Sequence, residues 1–280
     1  MSPLRAVTVA VSLGAILLCG ACTAGEAAPV SPPDELLAPW PATGAFDYQL
    51  GGAYEPGPGV GIVARDRTAR PAADAYSICY VNAFQTQPGE VGSSPAAVLL
   101  TDDEGDLVSD PDWPDEVLLD TSTPDRRAAI VAMVTPWLRG CADDGFQAVE
   151  FDNLDSFTRS ADALSLEDNI ALARMLSDVA HDAGLAVGQK NTAEHAARLR
   201  ADAGFDFAVT EECAAYEECA AYRDVYGNAV LDIEYTDELP RTFAQMCADE
   251  DSPTLMILRD RELHTPDSAE YVFEACPPRG

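Results

Sequence analysis

Lysine is almost missing from this chain: its 280 residues include one, Lys190, and only three histidines. Every other fixed positive side chain is arginine, and Lys plus Arg total 17 against 48 Asp plus Glu, a formal charge of −31. A surface so short of cations repels phosphates, which excludes a nucleic-acid-binding role. His181, His195 and His264 lie on or beside helical patterns and are not spaced as ligands, and no Cys-x-x-Cys pair occurs beyond Cys22, so no zinc site is expected. No Gly-x-Ser-x-Gly elbow marks a Ser-His-Asp hydrolase, and no Gly-x-Gly-x-x-Gly turn follows the first strand pattern to bind a dinucleotide. No cofactor is expected. Long apolar runs are also scarce: the first, Ala6 to Leu18, falls short of the roughly 20 residues that span a membrane.

That run follows Arg5 and reads as the apolar part of an export signal over residues 1–21. Small residues precede Cys22, so Cys22 is a candidate for lipid attachment to a membrane, with ordinary cleavage within Ala21 to Ala28 as the competing reading. Either way the expected location is extracellular or at the cell surface. Residues 22–42, rich in Ala, Pro and Glu, read as a flexible tether. Six cysteines remain beyond it, an even number suited to an oxidising compartment. Cys213 is near enough to Cys219 to bridge locally, and Cys247 with Cys276 would tie down the C-terminal tail.

From Phe46 onward, short runs rich in Val, Ile and Tyr alternate with helical patterns, the signature of strand–helix units around a parallel sheet. Eight strands are predicted, over 46–50, 60–64, 77–81, 147–152, 185–190, 206–211, 229–234 and 254–258. Helices are predicted over 126–139, 166–183, 193–203, 214–226 and 237–249, and the segment 117–120 is assigned to a long loop. In the second helix Ile170, Leu172, Met175, Leu176 and Val179 recur near the helical period, and Gly184 follows where a cap belongs. Residues 43–280 are close to the roughly 250 of a typical (β/α)8 barrel. The reading is therefore a single (β/α)8 TIM barrel, expected as a monomer, with an open doubly wound sheet as the alternative.

Reacting groups in such a barrel gather at the C-terminal ends of the strands. Those ends are polar: Gln49; Tyr80 with Asn82; Glu150 with Asp152 and Asn153; Lys190 with Asn191; Glu211 with Glu212; Glu234 with Tyr235; Arg259 with Asp260. Glu150 and Asp152 are two apart on one strand and so share a face, above Ala148. An acid after a strand often only caps a helix or pairs with Arg. Repetition along the chain favours a shared site over independent caps. Adjacent acids would raise the pKa of Lys190, which argues for a positioning cation rather than a Schiff-base nucleophile.

The segments Phe46 to Leu50, Ile78 to Tyr80, Gly145 to Asp155 (GFQAVEFDNLD), Val187 to Asn191, Val209 to Cys213 (VTEEC) and Ile233 to Tyr235 occur in an order that resembles glycoside hydrolase family 114. The resemblance implies a (β/α)8 fold and endo-α-1,4-polygalactosaminidase activity. It places the catalytic carboxylates on Asp152 and Glu211, and Glu150, Lys190, Asn191 and Glu234 at the sugar site. Gln49, Tyr80, Asn153 and Tyr235 complete the expected substrate-binding set, and Tyr48 and Trp113 are further candidates for stacking on sugar. Cleaving a glycoside takes one protonated acid and one ionised carboxylate, which Asp152 and Glu211 could supply together. The partner is then a polysaccharide, and one rich in ammonium groups would be drawn to so acidic a protein. The sequence departs from the pattern after the second strand, where Val63-Ala64-Arg65-Asp66 does not give the usual acid at the expected place, and at Thr210 and Glu212. Two rival readings remain: a carbohydrate-binding lipoprotein that keeps the barrel without turnover, and a hydrolase holding Mg or Ca on Glu150, Asp152 and Asp155.

Overall fold

A computed structural model describes residues 40, 41 and 44–278. The expected signal peptide, Cys22 and all of the tether except Trp40 and Pro41 lie outside the described residues.

Eight parallel strands follow one another in sequence order: β1 (Ala45–Tyr48), β2 (Val60–Asp66), β3 (Tyr76–Asn82), β4 (Ala148–Asp152), β5 (Ala186–Lys190), β6 (Phe207–Glu211), β7 (Val230–Tyr235) and β8 (Leu255–Arg259). A short β9 (Phe273–Ala275) runs antiparallel to β8. The sheet curls into a TIM barrel because alternate residues of every strand are apolar and bury inward. Phe46, Ile62, Ile78, Ala148, Ala186, Phe207, Val209, Leu231, Ile233 and Ile257 form that inner core. Gly188 on β5 takes part by having no side chain, since a Cβ there would lie 2.4 Å from the ring of Phe207. Trp40 packs on Tyr76 and Phe207, with ring centroids 5.4 and 5.2 Å away.

The opposite face of β3 to β8 packs against a ring of helices: α1 (Pro124–Asp144), α2 (Leu166–Asp182), α3 (Ala196–Ala203), α4 (Cys219–Tyr226) and α5 (Phe243–Ala248). Helix α2 starts at a capping box in which Ser165 and Asp168 satisfy each other's backbone N–H groups, and it buries Ile170, Leu172, Ala173, Leu176 and Ala180. The helices α4 and α5 are shorter than their sequence patterns: Cys213–Cys219 folds the first residues of the expected fourth helix into a loop, and a capping box of Thr242 and Gln245 starts the fifth at Phe243. Among the described residues no helix follows β1 or β2. Their outer face carries instead a polar layer in which Asp47, Gln49 and Arg65 bond one another and the loops. The 83–123 segment after β3 is a long loop held by isolated antiparallel bridges, including those of Leu118 and Leu119.

The seam between β1 and β8 is tied by a side chain. Arg259, fully buried, donates to the carbonyl of Tyr48, lies 3.3 Å from Asp47 and also donates to Val272 and His264. Disulfides join Cys79 on β3 to Cys141 on α1, Cys213 to Cys219, and Cys247 to Cys276. The second and third are the local bridge and the tail anchor expected from spacing.

Candidate active site

The C-terminal ends of the strands open into a cleft of ≈ 580 Å³. Inner-facing positions alternate along each strand, so Glu150 and Asp152 on β4, Lys190 on β5, Glu211 on β6 and Tyr235 on β7 point toward one volume. The backbone turns away at once: Asn153, Asn191 and Glu212, each directly after a site residue, have φ of +63°, +50° and +61°. For Glu212 that left-handed backbone is costly, and it ends β6 abruptly after Glu211.

Lys190 sits at the centre. Its ammonium is 3.3 Å from Asp152 Oδ2 and 3.2 Å from Glu211 Oε2, so these oxygens are separated by at most the sum, 6.5 Å. It also lies over the rings of Tyr48 and Tyr80, 5.4 and 5.8 Å from their centroids. Burial alone would lower the Lys190 pKa, but Asp152, Glu211 and Glu150 outweigh it and hold the ammonium firmly protonated.

Each carboxylate is held by its own donors. Asp152 accepts from the Tyr80 hydroxyl at 2.8 Å and from the N–H of Asn153 at 2.7 Å. Glu211 accepts from the Tyr235 hydroxyl at 2.5 Å and from Asn191 Nδ2 at 3.0 Å, while Asn191 Oδ1 accepts the N–H of Glu211. Burial would raise Glu211, but the charge on Lys190 and these hydrogen bonds overcome it and leave its pKa below the ordinary value. Glu150 lies deeper, beneath Tyr48, whose hydroxyl donates to it. Burial pushes Glu150 up to about 7 despite Lys190 and Tyr48.

Of the expected site residues, Tyr80, Asp152, Asn153, Lys190, Asn191, Glu211 and Tyr235 line the cleft, and Glu150 supports it from below. Gln49 and Glu234 do not line it. Each neighbours an inward-facing residue, Tyr48 or Tyr235, so strand alternation turns it to the outer face. Gln49 bonds Asp47 and Arg65 there, and Glu234 accepts the N–H groups of Ala214 and Ala215. Strand β2 runs two residues past its expected end, and Asp66 at its tip lines the cleft after all. The three acids proposed as oxygen ligands do not gather, because Asp155 is turned to Arg159 at 2.9 Å and Glu150 to Tyr48. Among the described residues, the one group close enough to share a metal is Cys213, Cys219 and Asp232, and its thiols are spent in a disulfide.

Sequence reasoning did not identify Glu116, which the 83–123 loop brings to the cleft wall beside Trp113. Loop residues carry no strand period, so no pattern announces them. Eight carboxylates and three cationic side chains line the cleft. Arg159 pairs with Asp110 and Asp155, Lys190 with Asp152 and Glu211, and Arg261 with Glu212 and Asp237. Four lining acids, Asp66, Asp112, Glu116 and Glu262, therefore have no cationic partner among the described residues.

The fold is shared with solved glycoside hydrolases. A structure of Ega3 from Aspergillus fumigatus, in complex with galactosamine, superposes with a TM-score of 0.67 at 21% identity, covering 87% of this chain and all of that one. The glycoside hydrolase domain of PelA from Pseudomonas aeruginosa gives 0.51 at 16% identity, covering 83% of this chain and 98% of the domain. A search of curated protein sequences finds no match. The sequence profile of one family matches residues 26–278, nearly the whole chain, and by that match the protein belongs to glycoside hydrolase family GH114.

Proposed function

We propose that this glycoside hydrolase is an exported endo-glycosidase that cleaves an α-1,4-linked galactosamine polymer, with Asp152 and Glu211 as its reacting carboxyl groups. The observation that carries the reading is the pairing of these two acids across Lys190, at most 6.5 Å apart at the floor of an open cleft. Carboxyl pairs in glycosidases work at separations of about 5 to 9.5 Å. One acid protonates the leaving oxygen, and the other attacks the anomeric carbon or activates water. Lys190 is a positioning cation: it fixes both carboxylates and, kept protonated by them, is no nucleophile.

The substrate class rests on the charge of the cleft and on Ega3, which was solved with galactosamine. Unpaired acids on the wall attract a polymer that carries an ammonium on each residue. Three disulfides suit a protein that works outside the cytoplasm. Incubation with polygalactosamine should release short oligomers, read by mass spectrometry. A folded protein that leaves this polymer and its partly acetylated form intact would refute the substrate reading.

A further inference from the structure

The loop between β3 and α1 brings a second recognition element to the cleft, separate from the residues that meet the reacting linkage. Glu116 is half-buried in the wall and held rigidly: Asn82 Nδ2 and Gln85 Nε2 donate to the same oxygen, Oε2, at 2.9 and 2.7 Å. Asn82 also accepts from Asn153 at 2.9 Å, so a chain of amides links Glu116 to the residue after Asp152. No Arg, Lys or His pairs with Glu116 among the described residues, although fixing a carboxylate there has a desolvation cost. Gln85, 1% exposed, lines the same wall, and its Oε1 has no hydrogen-bond partner. Glu116 Oε1, which accepts no hydrogen bond among the described residues, and the unpartnered Gln85 carbonyl leave acceptors to spare, while the amide N–H groups of Asn82 and Gln85 are directed to Glu116 Oε2. The complement of this spot is a group that brings several N–H donors and a positive charge.

The tip of this loop adds an aromatic face. Glu116 donates its backbone N–H to the carbonyl of Trp113 at 2.9 Å, closing a turn that fixes the two residues relative to each other. Trp113 is 62% exposed, an unusual position for the largest apolar side chain unless it meets a ligand, and it lies on the cleft rim beside Asp112. Pyranose rings expose C–H faces that pack on aromatic rings, and a nearby ammonium gains from the ring's negative face.

We propose that Glu116, Gln85 and Trp113 form a subsite that binds the ammonium-bearing form of a sugar unit flanking the scissile linkage, and that this subsite selects free amino-sugar units over their N-acetylated forms. An acetamido group is neutral and has one N–H, so it cannot replace the ammonium at Glu116. Its acetyl group would also press against Asn82 and Gln85. The proposal rests on the amino-sugar reading above and adds to it the residues that discriminate.

The test separates the two. Binding of a galactosamine tetrasaccharide and of its fully N-acetylated counterpart is measured by calorimetry on the Asp152→Asn protein, alone and combined with Glu116→Gln or Trp113→Ala. The loss of a charge-assisted contact should weaken binding of the amino form about ten- to a hundredfold in Glu116→Gln, with little change for the acetylated form. Trp113→Ala should weaken both forms. In the otherwise unaltered enzyme, Glu116→Gln should raise KM for the amino polymer while kcat holds. Equal affinities with and without Glu116 would overturn the subsite and leave the glycosidase reading standing. Selective binding without cleavage of either polymer by the unaltered enzyme would instead support the subsite and overturn the substrate reading.

Discussion

Glu234→Gln should make the protein less sensitive to rising pH. Asp232 and Glu234 are fully buried on the outer face of β7, and no cation pairs with either among the described residues. Asp232 Oδ1 accepts from the Thr210 hydroxyl at 2.6 Å and from the Cys213 N–H, and Glu234 Oε1 from the N–H groups of Ala214 and Ala215. The remaining oxygens, Asp232 Oδ2 and Glu234 Oε2, are buried without a hydrogen-bond partner among the described residues, so ionising both acids would leave two charges with nothing to offset them. Burial, first of all, raises both above the ordinary carboxyl range, and mutual repulsion adds to it at Asp232. A raised carboxyl pKa favours the fold below the unfolded value, near 4, and that support is lost as pH climbs toward the folded value. Each extra proton held by the folded state costs about 1.4 kcal/mol of stability per pH unit in that window. In Glu234→Gln the amide keeps the acceptor for Ala214 and Ala215 and removes the second ionisable group. Above the unfolded value the unaltered protein should therefore lose up to about 1.4 kcal/mol per pH unit more than the variant, until the raised folded value is passed. Denaturant unfolding at three pH values, extrapolated to water, reads this difference. Parallel stability curves would show that the pair holds no extra proton, and the reasoning would fail. The loop concerned follows Glu211 directly, so alkaline loosening should reach the cleft.

Arg259→Met should cost about 3 to 5 kcal/mol in chemical unfolding, because it strands the buried Asp47 and frees the β1–β8 seam; a loss below about 1 kcal/mol would mean that backbone packing alone closes the barrel. Replacing Cys79 and Cys141 together by Ala should cost about 4 kcal/mol, the chain entropy of a loop of 62 residues, read the same way. Lys190→Met removes the cation that holds the Glu211 pKa below its ordinary value, so the limb of kcat/KM that reports Glu211 should move up by about one pH unit or more. An unmoved or downward-shifted limb would show that Lys190 does not set the charge of Glu211.

Much of this architecture is legible in the sequence because strands and helices write their periods into it. All eight expected parallel strands fall within about two residues of their observed ends, as runs of Val, Ile and Tyr bounded by polar residues. The strand-end rule brings Asp152, Lys190 and Glu211 together for the same reason. Gln49 and Glu234 show its limit: naming a strand end does not say which of two neighbours faces inward, and Tyr48 and Tyr235 take the inner positions. Asp66 was hidden by a strand that ends later than its apolar run. Glu116 was hidden more deeply, since the 83–123 loop is placed by scattered bridges between distant residues rather than by a repeating pattern.

The most direct test of the central claim is the turnover of Asp152→Asn and Glu211→Gln on polygalactosamine, measured beside their melting temperatures. Each substitution is nearly isosteric and leaves Lys190 one carboxylate partner, so both variants should stay folded. The account predicts a loss of at least about a thousandfold in kcat for each, with melting within a few degrees of the unaltered protein. Near-normal turnover in either variant would contradict it.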